Sequence, residues 1–327
     1  MSRIHLFTSL TAGLLGVCLS MACLAGGKPE PVQPGDLLGS TGNVGNSLID
    51  INPTTGAGSL RGSLGSFGPV TELRFRTDGV LFATTGGGQS NLITINPDTA
   101  QETLVGEHDP ESINGLAFVG DTLYGALHEF DERPELGPEG LGEFVISLVT
   151  IDQTDASLTI VGQIEGYSRV RGLAWDENTG TLYGVGSPSR LRPEGDILLG
   201  DILFTIDPDT ASISEVGSTG FELGAITFGS DGTLYAGTTG GFGPLSTESE
   251  RGNGSALLVT LDPDTGESSI IGDTGSSAIS GLDFVPTGVD TPAALAVPTL
   301  NFWTLLLLAL TLLVVASWRF RQRRNID

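Results

Sequence analysis

Residues that could carry catalysis or bind a metal are few in the central part of this 327-residue chain. Both cysteines, Cys18 and Cys23, lie in the N-terminal apolar segment, so the part that follows has no disulfide and no thiol nucleophile. Only His108 and His128 lie outside that segment, and no GxSxG, HExxH or phosphate-loop pattern is present. The sequence therefore contains no recognisable catalytic set, and we predict no cofactor.

Two acidic patterns have the chemistry to bind a cation. His128, followed by Glu129 and Asp131, could hold a metal together with other loops, but a single His beside two acids is more often a surface feature. The stretches Asp207-Pro-Asp209 and Asp262-Pro-Asp264 offer oxygen ligands to Ca²⁺ without the spacing of a dedicated calcium loop. We interpret them as turns, with bound Ca²⁺ as the alternative.

The central part of the chain consists of five repeats, each with a short apolar alternation and a turn motif of the form Asn/Asp-Pro-Asp-Thr-Gly. The Pro position is occupied by Pro53, Pro97, Gln153, Pro208 and Pro263, at spacings of 44, 56, 55 and 55 residues. Nine residues later stand Gly62, Gly106, Gly162, Gly217 and Gly272. An aromatic residue follows 20 to 22 residues after the Pro position, at Phe75, Phe118, Trp175, Phe228 and Phe284. Such registration indicates a repeat architecture.

The pattern within each repeat predicts four β-strands. Two stretches of alternating residues flank the turn motif, and after a loop come two further stretches, of the Gly-Leu-Ala-Phe and the Leu-Tyr-Gly type. Four-stranded repeats of this length predict an all-β domain, residues 35–286, folded as a β-propeller of about five blades. The last repeat ends at Gly281–Phe284 without its Leu-Tyr-Gly partner, so we expect the N-terminal strand around 35–39 to close the ring. We expect the Gly-Leu-Ala-Phe strands nearest the axis.

Strand parity places the turn motifs on one face and three long connections on the other, where binding usually resides. We call this the long-loop face; its connections are Leu127 to Glu143, Ser187 to Gly200 and Gly240 to Gly254. Their charged residues are Glu129, Asp131, Glu132, Arg133, Glu135, Arg190, Arg192, Glu194, Asp196, Glu248, Glu250 and Arg251. We predict that an unidentified protein, glycan or cation binds on this face.

Four polar residues near the starts of the inner strands could face the central channel: Glu72, Asn114, Arg171 and Glu222. Two functions then remain open. The first is a non-catalytic binding or display module, which the missing catalytic set favours. The alternative is a calcium-dependent hydrolase or lyase of the lactonase kind, which requires acidic and amide groups to converge in the channel. The four residues do not repeat one residue type, which weakens the second reading.

The net charge of the central part of the chain bears on which classes of partner it can bind. Between Glu30 and Asp290 the chain has 38 Asp and Glu against nine Arg and no Lys, a net charge of about −29. A field of this sign repels phosphate backbones and anionic lipid headgroups. We therefore predict no nucleic-acid partner.

The N-terminal segment, residues 1–25, predicts a secretory signal peptide. Arg3 and His5 precede an apolar stretch, and small residues around Ala22 and Ala25 offer cleavage sites. A rival reading takes Ser-Met-Ala-Cys, ending at Cys23, as a lipidation motif. Either reading predicts export of the domain.

The C-terminal segment, residues 297–327, follows a linker at 287–296 and has three parts: Val297 to Trp303, an apolar run, and four arginines. The segment 302–318 contains 17 residues and would form a helix about 25 Å long. This length is the lower limit for crossing the hydrocarbon core of a bilayer. Trp303 and Trp318 stand where interfacial aromatics belong. Arg319, Arg321, Arg323 and Arg324 predict a cytoplasmic C-terminus before any processing, and hence a domain on the periplasmic face or the cell surface.

This tail resembles the bacterial IPTLxxWG-type sorting domain that an exosortase-type enzyme recognises. The matching residues are Val297, Pro298, Thr299, Leu300 and Trp303, while Thr304 replaces the glycine of that pattern. The resemblance implies cleavage near Pro298-Thr299 and transfer to another surface component; a plain membrane anchor is the alternative. The repeats are also similar to uncharacterised bacterial propeller repeats with Leu-Tyr and Asp-Pro-x-Thr-Gly motifs, a likeness that implies no function.

Overall fold

The computed structural model describes residues 30–42, 45–87, 90–108, 112–131, 143–189, 200–240 and 254–288. The predicted signal peptide, the sorting tail with its helix at 302–318, and most of the three long connections lie outside these residues. The chain divides into two compact units, Met1–Thr287 and Gly288–Asp327, and the repeats belong to the first. Within the described ranges no helix is long and apolar enough to cross a membrane.

The described residues form twenty strands in five antiparallel sheets of four, and each sheet has one innermost and one outermost strand. From the innermost strand outwards, the first sheet is β4 (Val70–Phe75), β5 (Leu81–Thr85), β6 (Asn91–Asn96) and β7 (Gln101–Glu107). The second, in the same order, is β8 (Ser112–Val119), β9 (Thr122–Asp131), β10 (Glu143–Ile151) and β11 (Leu158–Gln163). The third is β12 (Tyr167–Asp176), β13 (Thr181–Pro188), β14 (Ile202–Ile206) and β15 (Ile213–Ser218). The fourth is β16 (Leu223–Phe228), β17 (Leu234–Thr238), β18 (Leu257–Leu261) and β19 (Ser268–Asp273). The fifth is β20 (Gly281–Phe284), β1 (Leu37–Ser40), β2 (Ser47–Ile51) and β3 (Gly58–Ser63).

The five sheets are the blades of a β-propeller. Their innermost strands contact one another in a closed cycle, β4, β8, β12, β16, β20 and back to β4. The prediction of an all-β, five-blade propeller is therefore confirmed, and the Gly-Leu-Ala-Phe type of strand lies nearest the axis.

The fifth blade, which contains strands from both ends of the domain, corrects one prediction. Leu37 of β1 lies opposite Phe284 of β20, and Ser40 lies opposite Gly281. Three strands of this blade are N-terminal, so the C-terminal strand β20 completes it as the innermost strand; the N-terminal strand does not close the ring. The prediction was wrong because the repeat motif begins at the third strand of a blade. The boundaries of the sequence repeats therefore differ from those of the blades.

The glycine nine residues after each turn motif is explained by contact between blades. The turn of each following blade packs directly on the glycine of the blade before it. A Cβ on Gly62 would lie 2.6 Å from the Cβ of Ala100, and one on Gly162 would lie 2.7 Å from the Thr210 carbonyl oxygen. Gly106, Gly217 and Gly272 meet the turns at Asp155, Thr265 and Thr55 in the same way. Any larger side chain would separate the blades.

The repeat aromatics Phe118, Phe228 and Phe284 also join neighbouring blades through ring contacts. Tyr235 of the fourth blade packs edge-to-face on Phe284 of the fifth, with ring centroids 5.2 Å apart. Phe82 and Phe118 form the corresponding pair between the first and second blades at 5.9 Å. Most of the apolar core likewise lies between blades. The repeated glycines and aromatic residues therefore hold the ring together.

Candidate functional site

The axis of the propeller is occupied by the side chain of Arg74, on the innermost strand of the first blade. Its exposed fraction is 6%. Nε donates to the Leu116 carbonyl at 2.9 Å, and Nη2 donates to the carbonyls of Leu173 and Ile226 at 2.8 and 2.9 Å. Nη1 donates to Thr227 Oγ1 and to Asp283 Oδ1 at 2.9 and 3.0 Å. The five N–H groups thus have partners in all four other blades.

Asp283, on the innermost strand of the fifth blade, balances the charge of Arg74. Besides the ion pair at 3.0 Å, Oδ1 accepts from Thr227 Oγ1 at 2.6 Å and Oδ2 accepts from the Phe75 amide at 2.6 Å. Both charged side chains are nearly inaccessible to solvent. A buried ion pair is favourable only when further hydrogen bonds satisfy its remaining atoms, and this pair meets that condition.

Glu72 lies two residues before Arg74 and is fully buried. Its Oε1 accepts from the Leu73 and Leu282 amides at 3.0 and 3.2 Å, while Oε2 has no hydrogen-bond partner among the described residues. Burial raises the pKa of Glu72 well above its ordinary value, outweighing the opposite effect of the Arg74 guanidinium. The other blades have Gly115, Gly172, Ala225 and Gly281 at this position. Glu72 is therefore a buried carboxyl group whose charged form is disfavoured by burial.

Asn114 contacts His128 within the second blade, not the other predicted channel residues. Asn114 Nδ2 lies 2.8 Å from His128 Nδ1, and His128 Nε2 accepts from the Val170 amide of the third blade at 3.1 Å. Burial lowers the pKa of His128 to about 4. The neutral ring therefore joins the second and third blades, which is a structural role.

Arg171 and Glu222 are the two predicted channel residues that the structure brings together, and both border a third residue, Asp201. Arg171 Nη1 lies 3.2 Å from Asp201 Oδ2, and Nη2 lies 3.7 Å from Glu222 Oε1. Asp201 is fully buried and also accepts from Ser187 Oγ at 2.7 Å and from the Leu223 amide at 2.8 Å. Burial raises the pKa of Asp201 despite the nearby Arg171 charge. We call Arg171, Asp201 and Glu222 the mouth cluster, since Asp201 and Glu222 directly precede β14 and β16 on the long-loop face and Arg171 of β12 lies beside both.

No group of three His, Cys, Asp or Glu side chains among the described residues is arranged to hold a metal ion. The turn acids behave as the sequence suggested: Asp207 Oδ1 accepts from the Asp209 amide at 2.8 Å, and Asp262 Oδ1 accepts from the Asp264 amide at 2.8 Å. Glu72 Oε1 faces two N–H donors, which is the wrong polarity for a cation ligand. These described carboxylates therefore accept from backbone amides. Most of the long-loop charges lie outside the described residues.

Sequence reasoning missed Arg74, Asp283 and Asp201. The repeats did contain a signal for the first two, because Arg74 and Asp283 occupy the same position of the innermost strand in their blades. The other three blades have Ala117, Ala174 and Thr227 at this position, so Arg74 and Asp283 are the two charged residues there. Opposite charges at one repeat position of an inner strand can meet on the axis. Asp201 had no comparable signal, since it follows a long loop.

Comparisons with known proteins give only distant similarities. No protein-family profile matches the chain, and no curated protein is significantly similar to it. A chain of a nidogen/laminin complex has a TM-score of 0.47 and 12% identity, over 77% of this chain and 98% of that chain. A protein of unknown function from Bacteroides caccae has a TM-score of 0.44 and 13% identity, over 76% and 98%. A gluconolactonase from Xanthomonas campestris has a TM-score of 0.42 and 17% identity, over 72% and 71%. Similarity this low transfers no function.

Proposed function

We propose that this chain is an exported β-propeller, held at the cell envelope by its C-terminal tail, that acts as a non-catalytic binding or display module. The observation that carries the proposal is the occupied axis. A channel-centred enzyme needs free polar groups that converge there, whereas Arg74 and Asp283 use their polar atoms to join the five blades. The long-loop face remains the surface for an external partner, whether protein, glycan or cation.

The alternative, a calcium-dependent hydrolase or lyase, draws on one feature. Glu72 is a buried acid with a raised pKa, and such residues often mark catalytic sites. Its complete burial and its two backbone hydrogen bonds favour a structural role instead. Lactone hydrolysis by the full chain, measured with added CaCl₂ and with a chelator, separates the two functions. Calcium-dependent turnover that Glu72→Gln abolishes would establish the enzyme and refute the non-catalytic module.

The export and sorting proposal rests on the two ends of the sequence. We propose that an exosortase-type enzyme processes the tail near Pro298-Thr299 and that residues 302–318 hold the chain in the membrane until then. The arginines after Trp318 would retain the C-terminus on the cytoplasmic side. Because β20 ends at Phe284, cleavage at this point would remove no strand of the propeller.

Membrane fractionation and intact-mass analysis test this part. The full chain is expressed in hosts with and without an exosortase-type enzyme, and the mature C-terminus is identified in each fraction. We expect an intact tail in the inner membrane of the host without the enzyme and a chain shortened near Pro298 in the other. An intact tail in both hosts would reject sorting, and a chain recovered in the cytoplasm would reject export.

A further inference from the structure

We propose that the mouth cluster is a binding site for a neutral, polyhydroxylated ligand, a sugar unit of a glycan, which Arg171 and Glu222 contact directly. This inference rests on the proposed binding function and names the ligand class and the residues of its site.

Arg171 has hydrogen-bonding capacity that the described residues do not use. Its side chain is 17% exposed, yet Nε makes no hydrogen bond to any described residue, and Nη2 lies 3.7 Å from Glu222, beyond hydrogen-bonding distance. A largely buried guanidinium with unused donors is costly unless water or a ligand accepts from them. Arg74 shows that this fold can satisfy all five donors of an arginine when only structure is required.

The mouth cluster is also held in position before any ligand arrives. Asp201 is fully buried and receives hydrogen bonds from Ser187 and the Leu223 amide, so it fixes one edge of the Arg171 guanidinium. Nη2, on the other edge, lies 3.7 Å from Glu222 Oε1, and the side chain of Glu222 is 38% exposed. An arginine fixed in this way loses little conformational entropy on binding.

The charges and the donor pattern select the ligand class. Two carboxyl groups surround one guanidinium, so an anionic ligand gains little from Arg171 and is opposed by Glu222 and by the net charge of the whole chain. The ligand must accept from Arg171 and donate to Glu222, and adjacent hydroxyl groups do both. The large apolar side chains that are exposed among the described residues, Leu60, Leu104, Ile160 and Ile270, lie on the outermost strands. None of these strongly exposed apolar side chains lies at the described part of the mouth, where an anchor for a peptide ligand would be needed, so a hydrophilic sugar fits better.

Titration of the full chain with labelled neutral hexose hexamers of gluco, manno and galacto configuration tests the inference. Hexagalacturonate serves as the anionic counterpart. We expect saturable binding of at least one neutral hexamer, weakened about tenfold or more by Arg171→Gln and by Glu222→Gln, because each change removes hydrogen bonds to the ligand. Arg169→Gln is the matched control, since Arg169 is an exposed arginine two residues earlier on the same strand and should leave binding unchanged.

Three results would overturn the inference: no neutral hexamer binds, hexagalacturonate binds more tightly than all of them, or Arg171→Gln weakens binding no more than Arg169→Gln. Thermal unfolding shows whether Arg171→Gln folds, and Arg171→Lys, which keeps the charge, provides a second variant if it does not. Failure of the sugar titration leaves the proposed function intact when the chain reaches the envelope and shows no calcium-dependent turnover. Conversely, turnover would refute the non-catalytic function without affecting a measured sugar affinity.

Discussion

Two arginines on innermost strands, Arg74 and Arg171, show how differently one fold uses the same side chain. Arg74 is buried on the axis, and all of its donors are satisfied by partners in four blades. Arg171 lies at the mouth, held on one edge by Asp201 and without a hydrogen bond on the other among the described residues. The axis therefore stabilises the ring, whereas Arg171 at the mouth has donors that no described residue accepts from. Changes at the axis should affect stability most, and changes at the mouth should affect binding most.

The largest expected effect comes from removing Arg74. Arg74→Met leaves Asp283 buried without its counter-charge and leaves three backbone carbonyls without a donor, which should destabilise the fold by about 3–5 kcal/mol. Denaturant unfolding measures the loss. The double variant with Asp283→Asn should lose less than the two single losses combined, since neither charge is then stranded. Additive losses would mean that the two residues act independently.

His128 should produce the next largest effect, and it depends on pH. Its pKa is lowered from 6.5 to about 4, so the unfolded chain binds the proton more tightly than the native one. The stability from the neutral ring is complete above pH 6.5 and is lost as the pH falls from 6.5 to about 4, by roughly 3 kcal/mol. The charged groups that face the ring are Arg169 and Arg171, which also oppose its protonation. Stability curves of His128→Gln should lack this acid loss, and NMR titration of the ring gives the pKa directly.

Glu72 should give the opposite pH dependence. Its pKa is raised from 4.5, so the native state binds the proton more tightly, and stability is complete below pH 4.5 and falls as the pH rises towards the native pKa. Glu72→Gln keeps a neutral side chain of similar shape and should remove this slope in pH-dependent unfolding. The exposed Glu107→Gln is the control and should preserve the slope. A wild-type slope that Glu72→Gln leaves unchanged would show that Glu72 is ionised in the native state.

The smallest effect on stability is expected at Arg171. Arg171→Gln leaves Asp201 with its hydrogen bonds from Ser187 and Leu223, and the partly exposed pair with Glu222 is screened by solvent. Asp201 nevertheless loses its counter-charge, so we expect a loss of about 1–3 kcal/mol in the free energy of unfolding, smaller than for Arg74→Met because no backbone carbonyl loses a donor. A loss as large as that of Arg74→Met would erase the distinction between axis and mouth.

The fold was largely predictable because its signals are local and repeated five times. The turn motif, the glycine nine residues after it and the later aromatic residue recur in register, and each contact between blades uses the same pair of motif positions. The composition of the fifth blade was harder to predict, since the motif begins at the third strand of a blade and does not reveal which end supplies the innermost strand.

The candidate site was predictable only in part. Arg171 and Glu222 were recognisable as polar residues at the starts of inner strands, and the structure places them 3.7 Å apart. Asn114 and Glu72 occupy similar places in the sequence, yet they contact His128 and the backbone of β20. A side chain at an inner-strand start extends to whichever group of the neighbouring blade is nearest, and strand periodicity does not specify that group.

The sequence by itself determined the strands, the turns and the number of blades, because proline, glycine and alternating apolar residues act on their immediate neighbours. Only the tertiary structure decided which charges meet. Arg74 and Asp283 are 209 residues apart and become partners because a closed ring brings five innermost strands to one axis. Asp201 becomes the support of Arg171 for the same reason. Burial in the closed ring also sets the pKa directions of Glu72 and His128, since desolvation depends on the surrounding blades rather than on sequence neighbours.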